Sequence, residues 1–220
     1  MVTLKDVTSN PLIQEYTHQT GEYMKFVGYT DHGLAHAEIV AQRARAVAKA
    51  AKLQPREQEL AAIAGYCHDM GNFLGRTQHH YWGGLLFGQT FQSRMEPKEL
   101  TTVMQAIVAH DKDEIKIPSL VAACLILADK SDVRRSRVFD GSPQNRAADI
   151  HDRLNYATTG NEFVVDSKKK TVTLKVKIDT ALAPVMEYFE IFTERMEYSR
   201  KAGERLGFKF GLVINHFKLL

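Results

Sequence analysis

Cysteine is scarce in this chain: Cys67 and Cys124 are the two among 220 residues, and both fall inside apolar helical patterns. That excludes a disulfide scaffold and points to free thiols in a reducing compartment. Apolar runs long enough to span a bilayer are also missing. The opening residues, Met1-Val2-Thr3-Leu4-Lys5-Asp6, lack the basic-then-apolar order of a signal peptide. The expectation is a cytoplasmic protein with no membrane partner. An excess of one charge is lacking too, since 29 Lys and Arg against 26 Asp and Glu leave a formal charge of +3. Nothing there marks a nucleic-acid binder, although a small anion would not be repelled. With 44% hydrophobic and 25% charged residues, the composition is that of a folded domain. A chain of this length buries enough surface to fold without cross-links.

The apolar periodicity is helical through the first two thirds. Ile39, Val40, Val47 and Ala51 share a helix over about 34–53. Pro55 opens the next, with Glu57 and Glu59 at its positive end, a stripe of Leu60, Ile63, Ala64 and Cys67, and Gly71 as its stop. A third helix is read over 81–93 from Trp82, Leu85 and Leu86. Pro97 starts a fourth through Leu100, Val103 and Ile107. Pro118 starts a fifth through Val121, Cys124, Leu125 and Ala128, continuing past Arg137. Residues 140–146, with Gly141, Ser142 and Pro143, read as a loop and a domain boundary. Beyond it, Val172, Leu174, Val176 and Ile178 alternate with polar residues as a half-buried strand. Phe163-Val164-Val165 supplies its partner, 166–170 the turn, Pro184 to Leu206 a long helix, and Phe208, Phe210, Leu212 and Ile214 a last strand. The predicted fold is mainly α: a helical domain over 1–145 and a small α+β (ββαβ) appendage over 146–220.

Four polar residues break the apolar stripes. His36 lies four before Val40, His68 four after Ala64, His110 three after Ile107, and Asp129 four after Leu125. Residues three or four apart share a helix face, so these side chains point inward. One buried polar group without a partner costs ~1–3 kcal/mol, and a charge costs far more. A lone inward histidine is more often a satisfied core residue than a ligand. Several converging on one point are relieved by a divalent cation, which takes imidazole nitrogen and carboxylate oxygen together.

Three segments, taken together, resemble the HD-domain superfamily of metal-dependent phosphohydrolases. They are Asp31-His32-Gly33-Leu34-Ala35-His36-Ala37-Glu38, Cys67-His68-Asp69-Met70-Gly71 and Leu127-Ala128-Asp129-Lys130-Ser131-Asp132, and the likeness covers about 30–138. The resemblance implies an HD-domain helical bundle in which His36, His68, Asp69 and Asp129 ligate one metal. His79-His80-Tyr81-Trp82-Gly83-Gly84 and Val108-Ala109-His110 look like the branch that holds a second ion. There, Asp69 would bridge, with His110 and either His79 or His80 completing the site. His32 stands where distant relatives, the cyclic-nucleotide phosphodiesterases, have a histidine that protonates the leaving oxygen; a loop histidine capping the helix is the plain alternative. Lys130, Arg134, Arg137 and Arg76 are candidate phosphate contacts, against the plain alternative of a solvated basic face.

The sequence departs from the family in two places. Asn72 stands where many relatives carry a phosphate-contacting lysine. No second histidine with Gly-Tyr-Pro follows His110, which argues against cyclic dinucleotides.

The implied activity is hydrolysis of a phosphate ester or anhydride in a nucleotide or similar small phosphorylated substrate. Asp69 and His32 would be the catalytic pair, with water activated by one or two divalent transition-metal ions. Mixed nitrogen and oxygen donors favour iron or manganese, with nickel, cobalt or zinc as alternatives and magnesium less suited. Two rivals stay open at this stage: a di-iron oxygenase of the same superfamily, and a metal-containing regulatory or binding protein. The strands of the appendage suit pairing into a homodimer.

Overall fold

A computed structural model describes residues 1–111, 116–140 and 142–219. Among them the chain forms ten α-helices and one four-stranded sheet near the C-terminus. The mainly α fold with a small α+β appendage is therefore the fold observed.

Two N-terminal helices precede those read from periodicity. They are α1 (Leu4–Thr8), capped by Thr3 and Asp6 in a reciprocal box, and α2 (Pro11–Phe26), whose Asn10 cap accepts from the Leu12 and Ile13 N–H groups. Next come α3 (Leu34–Ala50) and α4 (Pro55–Cys67), joined by a short connection. Their backbones approach closely at Gly65: a Cβ there would lie 2.9 Å from the Ala41 Cα. Only glycine permits that approach, which brings the start of α3 against the end of α4.

After a 3₁₀ turn at Asn72–Leu74 come α5 (His79–Phe91) and α6 (Pro97–Ala109). The helix expected over 81–93 thus begins two residues earlier. Gly71 lets α5 dock, since a Cβ on it would overlap the carbonyl oxygen of His79. Helix α7 (Leu120–Lys130) runs through the middle, and every residue from Val121 to Lys130 is buried. It packs on α3, α4, α6 and, from the appendage, α10. Truncating a fully buried residue such as Leu125 to Ala would cost ~2–5 kcal/mol.

Helix α7 does not continue past Arg137 as the pattern suggested. It stops at Lys130, because Ser131 turns its hydroxyl onto the Ala128 carbonyl and accepts from Arg43 Nη1 at 2.8 Å. A 3₁₀ turn follows at Arg135–Arg137. The stretch read as a loop over 140–146 is helical from Pro143, in α8 (Pro143–Ala148), and α9 (Ile150–Ala157) follows; Gly141 lies outside the described residues.

The sheet runs β1 (Thr158–Asp166), β2 (Thr171–Ile178), β3 (Lys209–Ile214) and β4 (Phe217–Lys218), in that spatial order. The β1–β2 and β3–β4 pairs are antiparallel; β2 and β3 are parallel, linked through α10 (Val185–Arg205). The short β4 extends the expected ββαβ order by one strand. Alternation in β2 buries Val172, Leu174, Val176 and Ile178 against α10, which turns Tyr188, Phe192 and Met196 inward. One continuous apolar core joins these residues to the helical bundle.

Candidate metal centre

Two helix ends and two helix starts deliver imidazoles to a single buried point. His36 sits in the first turn of α3, His68 just beyond α4, His79 at the first position of α5 and His110 just beyond α6. All four are buried, as are Asp69 and Asp129.

Their Nε2 atoms turn inward. His36 Nε2 lies 3.2 Å from His68 Nε2, 3.4 Å from Asp69 Oδ2 and 3.4 Å from Asp129 Oδ1. His68 Nε2 lies 3.1 Å from Asp69 Oδ2 and 3.6 Å from Asp129 Oδ1. On the other side, His79 Nε2 lies 3.2 Å from Asp69 Oδ1 and 3.2 Å from His110 Nε2, which is 3.6 Å from the same oxygen. The two oxygens of Asp69 therefore face two sets of donors, which adjoin where His68 meets His110, a pair that with Asp129 also lies close enough to hold an ion. His36, His68 and Asp69 form one group, with Asp129 Oδ1 against both its imidazoles, and Asp69, His79 and His110 form another.

The opposite edge of each ring fixes the tautomer. Nδ1 of His36 lies 2.8 Å from Asp132 Oδ2. Nδ1 of His68, His79 and His110 meets the carbonyls of Gly65, Arg76 and Ile107 at 2.8, 3.0 and 2.6 Å. A carbonyl only accepts, so each of these Nδ1 atoms carries the proton. In the neutral rings, two pairs of Nε2 lone pairs then face each other at 3.2 Å, which is repulsive unless a proton or cation sits between them. Donors shared by an ion at ~2.0–2.2 Å lie roughly 3.0–3.6 Å apart, the spacing found here. The residues present fit one or two divalent cations.

Electrostatics point the same way. Burial would raise the carboxyls of Asp69 and Asp129. Instead, Asp69 is held well below the usual range, chiefly by His68, and Asp129 chiefly by Lys130. His68 is likewise disfavoured as a cation by burial, yet Asp69 and Asp129 push it up to about 10. His36 is raised by Asp129, Asp132 and Asp69 against burial and Arg137. His36 and His68 therefore hold protons where an ion would displace them, whereas burial lowers His110.

Of the two histidines left open by the sequence, His79 joins the cluster. His80, next along α5, points roughly 100° away; it stands half-buried beside Tyr81 and belongs to neither donor group. His32 is buried 5.6 Å ring-to-ring from His36, with Nδ1 2.5 Å from the Thr30 carbonyl. Burial and Arg137 push it well below its ordinary value, so its Nε2 carries no proton at neutral pH.

Of the candidate phosphate contacts, Arg134 and Arg137 do not extend into the cluster. Arg134 Nε donates to Asp132 Oδ1 at 2.9 Å, and Arg137 Nη1 to the Asp132 carbonyl at 2.9 Å. Both hold the acid that holds His36, because the chain turns after Lys130 instead of continuing as a helix. Lys130 lies 2.9 Å from Asp129 Oδ2, and Arg76 lies 3.3 Å from Asp111 Oδ2, at the edge of the cluster. Asn72, in the family's lysine position, donates to Asp69 Oδ1 at 2.9 Å.

The sequence reading assigned no role to Asp132, Asp111 or Arg195. Asp132 was findable, since it stands three residues beyond Asp129. Arg195 was not, because nothing along the chain ties it to residues so far away.

The family model described as HD domain matches residues 33–134, which contain every residue of both donor groups. This stretch is an HD domain. HD domains bind divalent metals, and their superfamily is one of metal-dependent phosphohydrolases. The search of curated proteins gave no match. Among the described residues no helix is long and apolar enough to cross a membrane.

Proposed function

We propose that this HD-domain chain hydrolyses a phosphate ester or anhydride in a nucleotide or similar small phosphorylated compound. The observation that carries the reading is the division of Asp69: one oxygen faces His36 and His68, the other His79 and His110. His36, His68, Asp69 and Asp129 would hold one cation; Asp69, His79 and His110 would hold the other. Mixed nitrogen and oxygen donors favour iron or manganese, with cobalt, nickel or zinc as alternatives. Bound there, such ions supply Lewis acidity toward phosphoryl oxygens and lower the pKa of a water to about 7.

The side chains around the cluster complete the task. Lys130 and Arg76 stand at its edge, where their charge draws an anion in and offsets what gathers on its oxygens. His32, neutral in the ligand-free protein, is placed to take up a proton as a phosphate's negative charge arrives and to pass it to the leaving oxygen. Asn72 and Arg76, 2.9 and 3.9 Å from Asp69 Oδ1, hold the Asp69 carboxylate still.

The test combines elemental analysis of the purified protein with an assay against a panel of nucleotides and other phosphate esters, run with and without oxygen. Hydrolysis that persists without oxygen is expected. Asp69→Ala and His68→Ala should each lose bound metal and turnover together. Undiminished metal in both variants refutes the site, and full metal with no hydrolysis across the panel refutes the reaction.

A further inference from the structure

We propose that Arg195, brought to the metal centre by helix α10 of the appendage, binds a second anionic group of the substrate. On this view the substrate carries at least two neighbouring phosphates, as a nucleoside diphosphate or triphosphate does. The inference deepens the reading above and rests on it.

The placement follows from how α10 packs. It lies along α7, the helix that ends in Asp129 and Lys130, and burial of Phe192, Met196 and Ser199 fixes its rotation. Tyr198 donates its hydroxyl to the Ala109 carbonyl at 3.2 Å, one residue before His110. Arg195 precedes Tyr198 by three positions and so shares its face. Its guanidinium carbon sits 4.7 Å from the Phe192 ring centre, partly exposed, and it interacts electrostatically with Asp129 and Asp111. A helix from outside the HD domain thus sets a cation beside residues flanking both donor groups.

The pairing of the neighbouring cations singles it out. Lys130 has Asp129 and Asp111 as partners, and Arg76 has Asp111. Arg134 and Arg137 are committed to Asp132. Among the described residues, Arg195 alone of these five has neither a carboxylate partner nor a hydrogen bond. An aromatic ring orients its planar fork and leaves the N–H groups unspent, the state in which arginine takes a phosphate in two parallel hydrogen bonds. The scissile phosphoryl group is accounted for by the donor cluster, so the group that Arg195 binds is the next one along.

The test uses the metal-loaded full chain, wild type against Arg195→Ala and Arg195→Lys. The readout is the ratio of kcat/KM for a nucleoside triphosphate to that for p-nitrophenyl phosphate, which has a single phosphoryl group. Loss of one charged bidentate contact should lower the ratio about tenfold in Arg195→Ala, mostly through KM, with partial recovery in Arg195→Lys. An unchanged ratio, including equal losses on both substrates, overturns the proposal. Should the wild type hydrolyse neither compound, the phosphohydrolase reading fails. Calorimetric titration with inorganic tripolyphosphate then decides for Arg195: about tenfold weaker binding by Arg195→Ala supports it, and equal binding removes it.

Discussion

His36 and Asp132, 96 residues apart in sequence, share a buried contact of 2.8 Å between Nδ1 and Oδ2. The carboxylate does not belong to the donor groups themselves; it orients a ring that does and makes its inner nitrogen more basic. Asp132→Asn keeps the shape and removes the charge. Metal affinity should fall roughly 10- to 100-fold, the usual effect of losing such an outer partner. Competition against a chelating dye measures it, and an unaltered affinity would take Asp132 out of the site.

Two adjacent histidines offer an internal control. If both proposed ions bind, His79→Ala should lower the number held per chain by one, because His79 Nε2 belongs to the Asp69 Oδ1 group. His80→Ala should leave both ions in place, its ring belonging to neither group. Mass spectrometry of the native protein reads the stoichiometry directly. The reverse result would mean that α5 begins in a different register.

Gly65 sets how closely α3 and α4 approach. In Gly65→Ala the new methyl would meet the Ala41 backbone, which cannot step aside as a flexible side chain can. Overpacking of this kind costs ~1–3 kcal/mol, so the melting temperature should drop by several degrees. The shift also separates His36 from His68, and metal content should fall with it. A melting point equal to that of the wild type would show the contact to be looser than described.

Proton and metal compete for His68. Its pKa in the metal-free fold is raised to about 10, above the ~6.5 of an unfolded chain. The stabilisation this gives the metal-free protein is complete below about pH 6.5 and fades as pH climbs toward 10. An ion needs the neutral ring, so the apparent metal affinity should increase from pH 6 to pH 8 as the proton becomes easier to displace. Titrations at those two values check the sign; equal affinities would contradict it.

Much of the candidate site was legible because its residues violate helical patterns in a regular way. His36, His68, His110 and Asp129 each occupy a place where an apolar residue belongs. The choice between His79 and His80 was not legible, since it turns on where α5 starts, and boundaries depend on contacts such as Gly71 against the His79 carbonyl. Helix α2 escaped notice because its inward stripe is Ile13, Thr17, Thr20 and Met24, half of it hydroxylated. The early end of α7 was hidden for another reason. Ser131 is claimed by Arg43 and Asp132 by His36, both from α3, so a tertiary demand overrides a helical preference. Arg195 has the same character: its position has meaning only once the appendage is laid against the bundle.

Three of the four imidazoles take their orientation from a carbonyl three residues back along their own chain: Gly65 for His68, Arg76 for His79 and Ile107 for His110. Such short loops close as soon as the local backbone forms. Most of the cage is consequently ready before any guest arrives. An ion arriving there would meet rings whose inner nitrogens already face it, their outer protons held by those carbonyls.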